Sequence, residues 1–278
     1  MNTELVTTDS KPLPDQKISG SGTVIGGEYN KISISGSGKY TGDIVCREFH
    51  ASGSAKGDGS ITASEEIHCS GSLKGTGDLK SGDIRVSGSA KMDGNVTGTE
   101  EIKVSGSLTG KEIKGGSVKV SGSVSCNSLS GTEVKISGGI RVEKDLEADH
   151  AIISGSGYIH GLLNAEVVEI GDSDGLVISF GSDAGTLRIG AIGGSSIHIS
   201  KKGAHGLFFR KTAQNESSRC FVYTDTIEGD EIELDGVQAD CVRGHNIIIH
   251  RNCRIGQVEY SGTLEVEDGA EVSARRML

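Results

Sequence analysis

Residues 82–122 read GDIRVSGSAKMDGNVTGTEEIKVSGSLTGKEIKGGSVKVSG, and the fold can be inferred from the pattern of this stretch. It contains three copies of a pattern in which alternating apolar and charged residues precede a Ser-Gly pair. The glycines that close this pattern along the chain are Gly20, Gly36, Gly53, Gly71, Gly88, Gly106, Gly122, Gly138 and Gly155. Because they recur every 16 to 18 residues, the sequence predicts stacked structural repeats.

Apolar residues inside each repeat follow a finer step of five or six positions, as in Leu79, Ile84, Ala90 and Val96. An amphipathic helix would need steps of three and four, and a hairpin array would show Asn-Gly or Asp-Gly turns. A chain winding around a three-sided prism fits better, with a short strand on each side and glycine or serine at the corners. We therefore predict an all-β fold, a parallel β-helix of about 17 residues per coil.

The inward residues of this β-helix form the predicted core. A coil buries its apolar face only against neighbouring coils, so an end coil exposes unpaired backbone groups and a section of core. We predict that the same apolar ladder joins one molecule to the next, and that the N-terminal end, which carries only a tail, is the joining end. The residues chosen to represent this assembly core are Ile34, Ile84, Val96, Ile102 and Leu108.

The chain divides by pattern into four parts. Pro12 and Pro14 precede the first repeat, and proline cannot extend a β ladder. After residue 220 short strands resume, as a smaller C-terminal β unit or as final coils packed as a cap. The predicted parts are a mobile N-terminal tail at 1–16, the β-helix rod at 17–200, an insert at 201–219 and the C-terminal unit at 220–278.

The insert is basic and apolar in an acidic protein whose formal net charge is −10. Basic side chains favour an anionic membrane surface, and a Leu-Phe-Phe wedge could enter it. The alternative is a loop whose phenylalanines pack under the end of the rod. The candidate membrane or partner docking residues are Lys201, Lys202, Leu207, Phe208, Phe209, Arg210 and Lys211.

Composition and charge limit the cellular compartment and the classes of partner that we expect. The negative net charge argues against a nucleic-acid binder, and no apolar run approaches the length of a membrane-spanning helix. The N-terminal sequence MNTELVTTDSKPLPDQ lacks the pattern of a signal peptide. The six cysteines show no CxxC pair, which favours buried thiols in a reducing compartment. We expect a cytoplasmic protein.

No motif in the sequence indicates a catalytic or binding site as clearly as the repeat indicates the fold. The glycine-rich stretch 20–27 lacks a phosphate-loop signature, and the acidic pairs fall at predicted corners. Cys241, His245, His250 and Cys253 have ligand types that suit zinc, but alternation along a strand would point them to different sides. We predict no catalytic residues, no cofactor and no metal, and hence no enzyme.

Two stretches carry a resemblance to a known family. SGSGKYTGDIVC (35–46) and VSGSLTGKEIKGGSVKVSGS (104–123) resemble the bactofilins, bacterial polymer-forming cytoskeletal proteins, and the resemblance covers about residues 17–160. Residues 226–266 are similar to the C-terminal part of longer members from spore-forming, Gram-positive bacteria. The resemblance implies a right-handed β-helix that assembles end to end without nucleotide, with itself or with a paralogue. It implies a scaffold for cell shape, the envelope or motility.

Two rival functions remain open at this point. A left-handed β-helix acyltransferase would need a catalytic histidine beside a subunit pocket, and His50, His68 and His160 lie in or near coils, without an accompanying loop. A surface or secreted β-solenoid binder is the other rival, which the absent signal peptide and the unpatterned cysteines disfavour.

Overall fold

The computed structural model describes residues 12–171, 186–200 and 220–278. Within these ranges the chain forms only β-strands, which pair in parallel in one continuous sheet. The sheet winds into a β-solenoid of about 14 turns with a spacing of roughly 17 residues. The predicted all-β parallel solenoid is therefore confirmed.

Twenty-two strands make up the described part of the solenoid. In chain order they are β1 (Asp15–Ile18), β2 (Ser21–Ile34), β3 (Ser37–Ala51), β4 (Ser54–Gly57), β5 (Ile61–Cys69), β6 (Ser72–Gly75), β7 (Leu79–Val86), β8 (Ser89–Met92), β9 (Val96–Val104), β10 (Ser107–Thr109), β11 (Glu112–Val120), β12 (Ser123–Cys126), β13 (Ser128–Ile136), β14 (Gly139–Val142), β15 (Leu146–Ile153), β16 (Ser156–Gly171), β17 (Leu187–Ser200), β18 (Val222–Leu234), β19 (Val237–Ile249), β20 (Arg254–Tyr260), β21 (Leu264–Val266) and β22 (Glu271–Met277).

Each coil has three sides, which we name faces A, B and C. In the coil that begins at Leu79, residues 79–81 lie on face C, residues 83–86 on face A and β8 on face B. The pairing on faces C and A shifts register between Ser81 and Asp83, at the corner that separates them. Longer strands such as β2 bend around corners, which is why the three faces form one sheet.

Inward residues stack into columns because each strand pairs with the equivalent strand of the next coil. On face A, Ile67 pairs with Ile84, and Ile84 pairs with Ile102. All three side chains are fully buried. The residues between inward positions point outward, as alternation along a strand requires. This is the physical reason why the sequence alternates apolar and polar residues before each Ser-Gly.

The Ser-Gly corners depend on close backbone approach. A Cβ atom at Gly88 would overlap the carbonyl oxygen of Gly71 in the preceding coil. The amide of Ser89 donates to that same oxygen at 2.9 Å. Glycine is therefore required here because the corner of one coil rests directly on the corner of the last, with no room for a side chain.

The coils after residue 220 belong to the same sheet as the coils before residue 200. β17 pairs with β16 on one side and with β18 on the other, and one apolar core runs from Ile18 to Val258. Of the two arrangements left open by the sequence, a separate β unit or final coils, the strand pairing selects final coils. At the other end the first strand begins at Asp15, slightly before the predicted boundary of the rod.

Candidate functional site

The two ends of the solenoid are the sites where the repeat is incomplete. In the described chain β1 pairs only with β2 at the N-terminal end, while β21 pairs only with β19 and β22 only with β20 at the C-terminal end. One edge of each of these strands therefore faces away from the stack. Unpaired edges of this kind are templates for pairing with another chain.

The N-terminal end buries its inward apolar residues but leaves two others uncovered, since Leu13 is 47% exposed and Ile25 is 70% exposed. Ile18 on face A is 6% exposed and Val24 on face B is 1% exposed. On face C, the Tyr29 hydroxyl donates to the carbonyl oxygen of Ile25 at 2.7 Å, which holds the ring near the corner. The outward residues of this first coil include Lys17 on face A and Glu28 on face C.

The C-terminal end also leaves apolar surface uncovered. Leu264, Val266 and Val272 are half-buried, although the residues one coil earlier in the same columns are almost fully buried. Met277 is 66% exposed and lies in the column of Tyr260. Exposed apolar residues therefore lie at both ends of the solenoid, and the expectation that the N-terminal end is the joining end stays a prediction.

One inward column on face C changes character at the last coil. Val242 pairs with Val258, and Val258 pairs with Arg275. A charged residue in an inward column is one way in which proteins limit pairing at a sheet edge. The C-terminal end is therefore apolar on faces A and B and basic on face C.

The five residues chosen for the assembly core lie inside the solenoid. Ile34, Ile84, Val96, Ile102 and Leu108 are each at most 1% exposed and belong to the same core. Ile34 pairs with Ile18 on one side and with Ala51 on the other, so it lies in the second coil and not at an end. An aspartate at position 34 would therefore disturb the fold itself, and the role of these residues in joining molecules stays a prediction.

Five of the six cysteines, all but Cys241, are buried and behave as small core residues. Burial raises the pKa of the Cys46 and Cys126 thiols to about 12 and that of Cys69 to about 11. The pKa of Cys253 is also raised to about 11 by burial. A thiol with so high a pKa is almost entirely protonated near neutral pH and is a poor nucleophile or metal ligand.

The candidate zinc ligands of the sequence analysis have separate surroundings. His250 contacts Glu233 through Nε2 at 2.8 Å and Glu267 through Nδ1 at 3.0 Å. Cys253 Sγ donates to the Leu234 carbonyl oxygen at 3.3 Å, and His245 Nδ1 lies 3.0 Å from Ser261 Oγ. Among the residues that the structure describes, no three His, Cys, Asp or Glu side chains are grouped so that they could hold a metal ion.

The histidines considered for acyl transfer lie on outward positions. The rings of His50 and His68 meet edge to face with centroids 6.0 Å apart. The ring of His160 stacks on Tyr158 at 4.3 Å, and its Nδ1 lies 3.2 Å from Glu143. His160 also lines an open cleft of about 320 Å³ with polar neighbours such as Arg188, Asp225 and Asp240. No described histidine faces an enclosed pocket among the clefts found.

The candidate docking residues of the insert, Lys201, Lys202, Leu207, Phe208, Phe209, Arg210 and Lys211, lie outside the described residues. The described ranges contain no helix long and apolar enough to cross a membrane.

Comparisons with known proteins find two weakly similar relatives, both described as uncharacterized. The chain is 27% identical over 118 residues to protein YhbF of Bacillus subtilis (strain 168), which is 42% of each chain. It is 43% identical over 54 residues to protein YhbE of the same strain, or 19% of this chain and 23% of YhbE. The alignments thus span less than half the length of either relative. No family model and no solved structure matches the chain.

Proposed function

We propose that this chain is a non-enzymatic bacterial scaffold protein that joins end to end without nucleotide. The observation that carries the proposal is that the two end coils are complementary when the columns of the solenoid are continued from one molecule into the next. A second copy placed with its first coil on the last coil of the first copy would extend all three faces by the pairing that already joins the coils.

On face A, one apolar pair and one oppositely charged pair of residues would meet across the joint between two copies. Its last strand contains Glu265 and Val266, in the columns that begin with Lys17 and Ile18. Continuing these columns places Val266 over Ile18 of the next copy and Glu265 over Lys17. The first contact buries apolar surface, and the second brings opposite charges together on neighbouring strands, a favourable cross-strand pair.

On face C, a second pair of oppositely charged residues would meet across the joint. Glu28 begins an outward column that ends with Glu259 and Arg276. In the continued stack, Arg276 meets Glu28 of the next copy, and Met277 meets Tyr29 in the neighbouring inward column. Arg275 meets Gly27, whose missing side chain leaves space for the guanidinium group.

Two apolar residues of the first coil contribute little to the joint. Ile18 and Val24 are already almost fully buried in the single molecule, so a second copy that docks on this end gains little further burial from them. We therefore expect assembly to depend on protein concentration.

The cellular role follows from the resemblance to the bactofilins. A stiff rod of stacked coils with no enclosed pocket among the described clefts suits a scaffold better than a catalyst. We propose a cytoplasmic scaffold that organises cell shape, the envelope or motility machinery, with further copies of itself or a paralogue as partner.

Charge reversal at the proposed joint tests this function. Glu28→Arg or Arg276→Glu alone should abolish or strongly reduce assembly of the purified full chain in sedimentation velocity. The double variant should restore it, because it restores opposite charges across the joint. A matched control reverses Glu147→Arg, which lies in the same outward column at the middle of the rod, and this variant should assemble like the wild type.

Two outcomes would overturn the proposal. One is a wild-type chain that remains a monomer at every concentration and salt tested. The other is assembly that is unaffected by both single reversals, since the ends would then not meet in the register described. Circular dichroism of each variant shows whether a loss of assembly reflects loss of fold.

A further inference from the structure

The outward column of face B carries four consecutive lysines in the N-terminal half of the rod. Successive strand pairs place Lys39, Lys56, Lys74 and Lys91 in register on four consecutive coils. All four side chains are exposed, and none makes an ion pair with a described residue. From Thr23 onward the whole column is Thr23, Lys39, Lys56, Lys74, Lys91, Thr109, Ser125, Arg141, Tyr158, Arg188, Tyr223, Gln238, Arg254 and Glu271.

Face A shows how the same molecule treats basic columns elsewhere. There Arg85, Lys103, Lys119 and Lys135 also stack in register, but an acidic column runs beside them on the same strands. Lys119 Nζ lies 3.1 Å from Glu101 and 3.8 Å from Glu133. Arg85 and Lys119 of face A thus pair with acidic side chains of the same face, whereas none of the four lysines of face B makes an ion pair with a described residue.

A column of like charges opposes folding. Neighbouring parallel strands lie about 4.8 Å apart, and like charges directly opposite each other on adjacent strands are destabilising. An anion lying along the column would remove this repulsion and release its own counterions. The lysines of face B are thus placed to bind a negatively charged partner that follows the axis of the rod.

The surroundings of the column restrict the shape of that partner. On one side, a column of small serines includes Ser54 and Ser72, which leaves the lysines standing clear. On the other side, Asp58 and Asp93 are exposed two positions after Lys56 and Lys91. A planar anionic surface pressed against face B would meet these carboxylates, but a narrow chain along the lysines would avoid them.

We propose that face B binds a linear, base-free polyanion of the polyphosphate type, laid along Lys39, Lys56, Lys74 and Lys91. A nucleic acid is disfavoured at the four lysines because single-strand binders stack bases on exposed aromatic rings, and the column contains no aromatic residue between Thr23 and Arg141. Further along the column, Tyr158 and Tyr223 already contact arginine guanidinium groups. Ammonium groups one coil apart present donors at a regular interval, and lysine is an established phosphate binder as a point charge.

The C-terminal half of the column extends the same surface. The Arg141 guanidinium lies 5.0 Å from the centroid of the Tyr158 ring, and that of Arg188 lies 5.1 Å from the Tyr223 ring. This cation–π contact holds each guanidinium close to the ring of the next residue in the column. Guanidinium groups suit phosphate because their planar fork can donate two hydrogen bonds at once, so this half offers further contacts to a long chain.

The test measures binding of fluorescently labelled long-chain inorganic polyphosphate to the full chain by anisotropy, over a series of salt concentrations. We expect the wild type to bind, and K39Q/K56Q/K74Q/K91Q to bind at least about tenfold more weakly at low salt, with a salt slope reduced by about 3. The matched control R85Q/K103Q/K119Q/K135Q removes the same number of charges from face A and should bind nearly as tightly as the wild type.

Several outcomes would overturn the proposal. These are no binding by the wild type, equal losses in both quadruple variants, or tighter binding to oligothymidylate than to polyphosphate. Vesicles containing phosphatidylglycerol form a separate arm, and binding to them that needs the face B lysines while polyphosphate binding does not would assign the surface to a membrane. Sedimentation of the same samples separates any failure of end-to-end assembly from a failure of polyanion binding.

Discussion

Tyr40 shows how single residues shape the interior of the solenoid. It is 1% exposed on face B, and its ring lies against Gly57 and its hydroxyl against Gly75 in the next two coils. The hydroxyl donates to the carbonyl oxygen of Lys74 at 3.3 Å, and burial raises the pKa of Tyr40 to about 12. One large side chain thus fills the space that two glycines leave in the same column.

We predict that Gly57→Ala destabilises the chain by about 1–3 kcal/mol, the usual range for overpacking a filled core. The added Cβ would overlap the Tyr40 ring, so the ring would have to shift. Urea unfolding followed by circular dichroism measures the change in free energy of unfolding.

Gly20→Ala is the matched control, because nothing lies within 4 Å of a Cβ at that position. Combining Gly57→Ala with Tyr40→Leu should recover part of the loss, since the smaller side chain vacates the contested space. If the two glycine variants unfold alike, Tyr40 does not occupy the space described.

Neighbouring strands are joined on their outer side by a chain of histidines and glutamates. His198 of β17 contacts Glu233 of β18 at 3.0 Å, and Glu233 contacts His250 after β19. His250 also contacts Glu267, which in turn lies 3.7 Å from Arg251. The hydrogen bonds that His250 donates to Glu267 and Glu233 raise the pKa of His250, and they lower the pKa of both carboxyl groups.

The directions of these pKa shifts define the pH range in which the histidine–glutamate network stabilises the fold. A raised histidine pKa contributes stability below its unfolded value of about 6.5, and this is lost as the pH rises through the folded value. The lowered glutamate pKa values contribute stability above about 4.3, and this is lost as the pH falls through the folded values. The network is therefore expected to stabilise most between about pH 4.5 and 6.5.

We predict that His250→Gln lowers the free energy of unfolding more at pH 5.5 than at pH 8.5, because only the protonated imidazole pairs with both carboxylates. Urea unfolding at the two pH values measures this difference. His245→Gln is the control, since His245 lies beside the Ser261 hydroxyl, and an equal pH dependence in both variants would contradict the assignment.

At the scale of the whole molecule, stability comes from contacts between adjacent coils. Each described coil pairs with its neighbours, as Val86 pairs with Val104 one coil later. Solenoids of this kind behave as nearly one-dimensional stacks in which a unit contacts only its neighbours. A whole coil should therefore be removable without loss of the fold, whereas part of a coil should not.

We predict that deletion of residues 87–104 leaves a folded, shorter solenoid. The deletion joins Val86 to Ser105, which reproduces the Val104–Ser105 junction, since Val86 and Val104 occupy the same column. Deletion of residues 87–95 removes only part of a coil and would place later inward residues on the wrong face.

Circular dichroism and size-exclusion chromatography distinguish the two deletions. The whole-coil deletion should keep the β signal and a cooperative thermal transition, and the partial deletion should aggregate or unfold. A whole-coil deletion that fails to fold would show that stability depends on contacts beyond adjacent coils.

The local sequence pattern was enough to predict a solenoid with three-sided coils and the burial of Ile84 and Leu108. The reason is that every regular coil alternates inward apolar and outward polar residues and has small residues at its corners. Pattern was less informative after residue 200, where the step becomes irregular, and the strand pairing was needed to place the last coils on the same stack.

The repeating unit can be read from the amino-acid pattern, since a coil is built from contacts within about 17 residues and with its neighbours. Which distant residues share a column, such as Glu28 with Arg276 or Lys39 with Lys91, follows only from the folded chain. Coil lengths vary between 16 and 18 residues in the regular part, and the chain between β16 and β18 adds further residues. These differences in length add up along the rod, so the register between distant coils cannot be counted from the sequence. The complementary ends and the unneutralised lysine column are consequences of that register.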